Sequence, residues 1–391
     1  MSRHFALLVA VLLLTGCGKP ATPVTPPPMP VAETQPTPPE PEPPPPEPKS
    51  IQQSKSKGPR PPKVDPAAEK AAIAYVEKLG GRAVKDVSSP GSPLATVGFS
   101  RRSVADVNLS HLTELKALRF LDLEGTTDTD AVLKQLAKLP WLKVVELSDS
   151  AASDEGLQNL AALPELEELY VRRVKVGPAG LVAVAKLPKL AKLDLKEAPL
   201  TDDAVKALTS APAVTRLILA DTPITLVGVK PSGWTKLEFL DLSGTKVGDA
   251  GLNGLTNVRS LIELNLSGTS LTDSGLAALA WQKNLRTLNL SDSLVTGSGL
   301  EALKGLPKLE ELTLGGKAVS DDGLRKLSGL AQLKKLELVA TGITDVGVGG
   351  LVGLPNLEDL TIERTAITDG RCRYAGLCAR AQSRQDRSAF G

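Results

Sequence analysis

The sequence has almost none of the side chains from which reaction centres are assembled. Two histidines, His4 and His111, and three cysteines, Cys17, Cys372 and Cys378, serve 391 residues. The cysteines all lie near the ends, so the long interior has no thiol for a nucleophile or for a cysteine-based zinc site. With His111 as its one imidazole, most serine–histidine, cysteine–histidine and histidine–metal arrangements are excluded there too. Aromatic residues make up 3% of the chain, and 46 basic residues are balanced by 44 acidic ones. That leaves neither stacking platforms nor a positive field for nucleic acid. We expect no catalytic residue, no enzyme activity, no metal, no cofactor and no nucleic-acid partner.

What the chain does have is a repeat. The stretch Leu237 to Ser260, LEFLDLSGTKVGDAGLNGLTNVRS, recurs with starts at Leu94, Leu118, Leu142, Leu166, Leu190, Val214, Leu237, Leu261, Leu285, Leu309, Leu333 and Leu357. Each step is 24 residues except Val214 to Leu237, which is 23. A fixed period of this size predicts a solenoid, whose units bury their apolar faces against one another. In LxxLxL the fourth and sixth residues point inward, and the third, fifth and seventh line the other face of a short strand. At the ninth position stand Thr126, Ser150, Thr222, Thr245, Thr269, Ser293, Thr341 and Thr365. Buried hydroxyls there are expected to bond to the backbone of adjacent turns. A T-D-x-G-L opening follows, clearest at Thr272 to Leu276 and repeated at Thr344-Asp345, with Thr as helix N-cap and Asp in the first turn. Leucines three apart, such as Leu324, Leu327 and Leu330, then bury one side of a short helix.

This pattern resembles the leucine-rich repeat family, in particular bacterial 24-residue repeats, although it uses Thr where Asn usually forms the ladder. The resemblance covers residues 94–369, about twelve repeats. It implies an α/β solenoid with parallel strands on a concave face and short helices on a convex face, used for binding proteins or sometimes glycans. Asp202, Asp249, Asp273, Asp321, Asp345 and Asp369 recur at one position per turn. Helix capping accounts for them, and one carboxylate per turn falls short of the six to eight oxygens calcium takes. The unit Val214 to Lys236 lacks the opening motif, and Pro231 and Gly233 forbid a tidy helix. An irregular loop with Trp234 tucked over the core is expected there, with a partner contact through that loop as the alternative.

The ends have their own chemistry. Residues 1–16 form a basic start, an apolar run and a small-residue end, the three parts of a secretory signal too short to span a bilayer. Leu14-Thr15-Gly16-Cys17 resembles the lipobox of bacterial lipoproteins, which implies cleavage before Cys17 and lipidation of that residue. The alternative is an ordinary secreted protein. Several acyl chains give a lasting anchor where one is marginal. Gly18 after the cysteine favours the outer over the inner membrane under the sorting rules of that family, so the expected location is the cell envelope. Residues 17–66 make a tether: 19 of the 31 prolines lie between Lys19 and Pro66, and polyproline II conformation would let it reach about 140 Å. A spacer and a proline-rich ligand both fit this composition. Asp65-Pro66 followed by AAEKAAIAYVEKLGG predicts a capped helix, and Arg82 to Val87 a strand, which together make residues 67–93 a cap for the solenoid. Residues 370–391 break the pattern with five arginines, which fits a shifted reading frame, a recombined end, or a tail closed by a Cys372–Cys378 disulfide.

Binding is expected on the concave face of the first units. Phe120, Val144, Tyr170, Ile218 and Phe239 alternate there with Asp122, Glu146, Asp194 and Asp241, while later units carry Asn265, Asn289, Thr313 and Thr361. Aromatics among charges are what an interface centre needs. The expected partner is a protein, or a glycan, met by a membrane-anchored module. The alternatives are an envelope scaffold without one ligand and a glycosidase using Asp122 and Glu146.

Overall fold

In the computed structural model, which describes residues 65–89 and 91–367, the chain begins with a helix whose punctuation is local. The Asp65 carboxylate accepts from the Ala67 amide, Pro66 stands at the first turn, and helix α1 runs Pro66–Lys78. Ala72 and Val76 are buried against the core. Strands β1 (Arg82–Lys85) and β2 (Leu94–Gly98) follow and pair antiparallel. The lipidation reading at Cys17, the leader, the tether up to residue 64 and the tail with Cys372 and Cys378 lie outside the described residues.

Strands β3 to β8 are Phe120–Asp122, Val144–Glu146, Glu168–Tyr170, Lys192–Asp194, Arg216–Ile218 and Phe239–Asp241. Strands β9 to β13 are Glu263–Asn265, Thr287–Leu290, Glu311–Gly315, Lys335–Val339 and Asp359–Glu363. They form one sheet in chain order, parallel from β2 onward as expected of the repeats, with the cap strand β1 pairing antiparallel at its edge. Antiparallel β1 needs only the short turn after Lys85 to reach β2, whereas each parallel step needs a long return. Those returns carry short α-helices, such as Pro178–Ala185 and Asp202–Leu208, or 3-10 turns, such as Leu300–Gly305. The last replaces an expected α-helix in a unit that has Gly297 where others have Asp, and Gly299 just before the turn begins. In every strand from β3 to β9 the middle residue is buried, for example Leu121, Leu169 and Leu264, and contributes about 1.5–3 kcal/mol.

Two expectations about polar residues are refined. The ninth-position hydroxyls of Thr126, Thr222, Thr245, Thr269 and Ser293 donate to the carbonyl three residues back, at 2.6–2.8 Å, and so close their own turn, not a neighbouring one. The aspartates do bridge neighbours. Asp249 accepts from the Thr272 amide at 2.9 Å and the Thr272 hydroxyl at 2.6 Å, one repeat further on. Asp130 does the same to Ser153, Asp202 to Thr225, Asp273 to Thr296 and Asp321 to Thr344. Helix capping is therefore only part of their role. Thr201 and Thr344 do cap helices, but the helix after Thr272 begins at Leu276, so that cap is not formed. Asp369 falls outside the described residues.

Between β7 and β8 no helix forms, as expected. Trp234 is 1% exposed and its indole Nε1 donates to the Leu208 carbonyl at 2.8 Å.

Candidate functional site

A short strand with inward residues at its centre must turn its first and third residues to the other face, and parallel register then aligns these into two rows. One row runs Thr96, Phe120, Val144, Glu168, Lys192, Arg216, Phe239. The other runs Gly98, Asp122, Glu146, Tyr170, Asp194, Ile218, Asp241 and continues to Asn265, Asn289 and Thr313. All nine concave-face candidates stand on this face. Phe120 and Val144 are neighbours, whereas Phe239 closes the same row beyond Glu168, Lys192 and Arg216.

Sequence reasoning missed the bases. The Lys192 ammonium and the Arg172 guanidinium lie 4.7 and 5.5 Å from the centre of the Tyr170 ring, and the Arg216 guanidinium lies 3.9 Å from that of Phe239. The Tyr170 hydroxyl donates to Glu168 at 2.5 Å and accepts from Lys192 at 2.9 Å. Burial, and then the bond to Glu168, push its pKa up, so the phenol stays protonated. The signal for these bases was available: Lys192 and Arg216 occupy the third position of their units, as Phe120 does.

The acids differ from the expected open row. Asp194 is 1% exposed, because Arg172 covers it with Nε at 2.8 Å, and it is not available to a partner. Its other oxygen accepts from the Lys196 amide. Asp122, Glu146 and Asp241 likewise accept from the amides of Glu124, Ser148 and Ser243, two residues on. Asn265 and Asn289 repeat the bond to Ser267 and Ser291. The fifth position thus closes the turn at the strand end, which explains why Asp and Asn exchange there. Burial holds the Glu146 carboxyl above its ordinary value, the Asp122 charge adding to this against the bonds from Ser148 and the charge of Arg172. The face is zwitterionic and aromatic, suited to non-covalent contact.

At the head of these rows a cleft of about 320 Å³ opens beside the cap, with Phe120 and Asp122 in its wall and Arg82 and Arg102 across from them. Among the described residues no three His, Cys, Asp or Glu side chains gather as metal ligands would, and no helix is long and apolar enough to cross a membrane.

The sequence matches the Leucine Rich repeat family over residues 235–255, 259–280 and 282–304. No match is found among curated proteins. Among solved structures the chain is similar to an internalin (inlF) of Listeria monocytogenes, with 20% identity and a TM-score of 0.52 over 82% of this chain and 96% of that one. It is also similar to a TLR13–ssRNA13 complex, with 19% identity and a TM-score of 0.50 over 66% of this chain and 37% of that one. These likenesses are of fold: the chain is a leucine-rich repeat solenoid.

Proposed function

We propose that the protein is a membrane-anchored, non-catalytic binding module whose strand face, over β3 to β8, takes a protein partner. The observation that carries this is Tyr170, half-buried on the face opposite the core, its ring bracketed by Lys192 and Arg172. Aromatic area flanked by fixed charges of both signs gives desolvated contact at the centre and register from the charges around it. Bases beside acids fit a polypeptide with mixed charge better than the purely basic partner that the acids alone imply. An internalin shares the fold, and a leucine-rich repeat solenoid offers such a surface without chemistry of its own.

The test is capture of the partner from detergent-solubilised envelope by the full chain. Tyr170→Ala should weaken capture by about 2 kcal/mol or more, and Thr313→Ala, in the same row but a late unit, should do little. Equal effects from the two, or sensitivity confined to the exposed Val227 near Trp234, would move the site off this surface.

Anchoring through Cys17 in the cell envelope, at the outer membrane, belongs to the same proposal and rests on the leader and its lipobox-like end. Cys17→Ala should leave the leader uncleaved or release the protein from the membrane fraction. Unchanged processing and detergent partitioning would remove the anchor.

A further inference from the structure

Every unit from β3 to β8 puts a side chain larger than glycine at the fifth position of its strand, and β2 puts Gly98 there. Gly98 is flanked in register by Arg82 on β1 and Asp122 on β3. Strands lie about 4.8 Å apart, so the backbones of β1 and β3 stand about 10 Å apart here. The Asp122 side chain leans over the glycine, its Cβ and Oδ2 3.2 Å from where a Cβ on Gly98 would stand, and a gap is left on the Arg82 side. This gap is the cleft of about 320 Å³. The Ser100 hydroxyl lies in its wall and donates to Asp122 at 2.7 Å, and the Phe120 ring closes one side. Arg102 comes from the loop after β2 and lies so close over Gly80 that a Cβ there would be 2.8 Å from a guanidinium nitrogen. Neither Arg82 nor Arg102 forms an ion pair among the described residues, whereas neighbouring Arg101 and Lys85 pair with Glu124 and Glu69.

We infer that this cleft receives a carboxylate side chain of the protein partner, held between Arg82 and Arg102. Two unpaired guanidiniums at one concavity are a fork for an oxyanion. The Asp122 charge on the opposite wall leaves the lining at a net single positive charge, which matches a carboxylate and disfavours a doubly charged phosphate. Asp122 accepts from Ser100 and from the Glu124 amide and forms no ion pair with either arginine among the described residues, so it sets a limit on charge there. The volume is near the lower end of the roughly 300 Å³ and upward that small-ligand sites span, enough for a side chain but not for a folded segment. The inference rests on the strand face being a binding surface, of which the cleft is the cap end.

The probe is a capped tetraglutamate peptide, titrated calorimetrically into the full chain in detergent, with capped tetraglutamine and inorganic phosphate as comparisons. Tetraglutamate should bind at least tenfold more tightly than tetraglutamine. Arg82→Ala and Arg102→Ala should each weaken it at least fivefold, and Gly98→Ser, whose side chain pushes the Asp122 carboxylate it meets at 3.2 Å further into the cleft, should do the same. Thr313→Ala, on a late unit, should leave it unchanged. Thermal melts by circular dichroism show whether each variant folds, and Arg82→Gln serves if Arg102→Ala does not. The inference is overturned if tetraglutamate fails to bind, if tetraglutamine binds equally, if the arginine and Gly98 variants bind as the parent does, or if phosphate competes as well as the peptide. Loss of the carboxylate site with Tyr170 still needed for capture would leave the strand-face reading standing; peptide binding without any effect of Tyr170 on capture would do the reverse.

Discussion

At the residue scale the bond from Asp249 to the next repeat explains the motif better than helix capping does. A Cβ on Gly275 would collide with the Asp249 carboxylate, and Gly347 and Gly156 stand in the same relation to Asp321 and Asp130. The glycine of T-D-x-G-L is thus needed for close approach of the preceding repeat's aspartate, and the threonine is the group that this aspartate holds. Asp249→Ala leaves the Thr272 amide and hydroxyl without their acceptor and should cost about 1–3 kcal/mol. Gly275→Ala should cost about the same by overpacking, and the double change should cost less than the sum, because removing the carboxylate makes the room that the methyl needs. Denaturant melts of the three variants check this, and strict additivity would separate the glycine from the aspartate.

At the element scale the cap is held by a buried carboxylate that sequence reasoning passed over. Glu69, on α1, ion-pairs with Lys85 at the end of β1 and accepts from the Leu94 amide at the start of β2 at 3.0 Å. Burial pushes its pKa up, but the bonds from Lys85 and Leu94 and the charge of Lys85 outweigh that and hold it below the ordinary glutamate value. The charged form therefore favours the folded cap. Its stabilisation is full above the unfolded glutamate pKa and is lost as pH falls through the lower, folded one. Glu69→Gln should flatten that part of the acid dependence of the cap's protection, read by amide exchange of β1 and β2 between neutral pH and the acid limb. A variant with the parent's pH profile would show that Glu69 is not the group responsible.

At the scale of the whole molecule, thirteen strands in chain order among the described residues mean that each unit of the repeat body touches chiefly its sequence neighbours. Leu264 is 2% exposed, so Leu264→Ala should cost about 2–5 kcal/mol. The loss should appear first as faster amide exchange in β8 to β10, on either side of the cavity. Asn265→Ala on the outer row is not idle, because its side chain closes the turn at Ser267, and should cost about 1 kcal/mol. Equal costs for the two would place the inward and outward rows wrongly.

The leucine spacing was enough to read the succession of parallel strands, the inward fourth and sixth positions and the row of outward candidates, because strand geometry alternates by residue and needs no partner to be known. Local punctuation was equally legible: Asp65 and Pro66 start α1, and Pro231 and Gly233 leave the turn before β8 without a helix. The burial of Asp194, Lys192 over Tyr170 and Arg216 over Phe239, the aspartate bonds between repeats and the Glu69 lock were not, since each joins residues that register or packing brings together from about 16 to 25 positions apart. Periodicity says which face a side chain takes. Only the tertiary structure decides which neighbour it meets there, and that neighbour determines whether Asp194 is a free charge for a partner or the counter-ion of Arg172, and whether Gly98 is a gap in a row or the floor of a site.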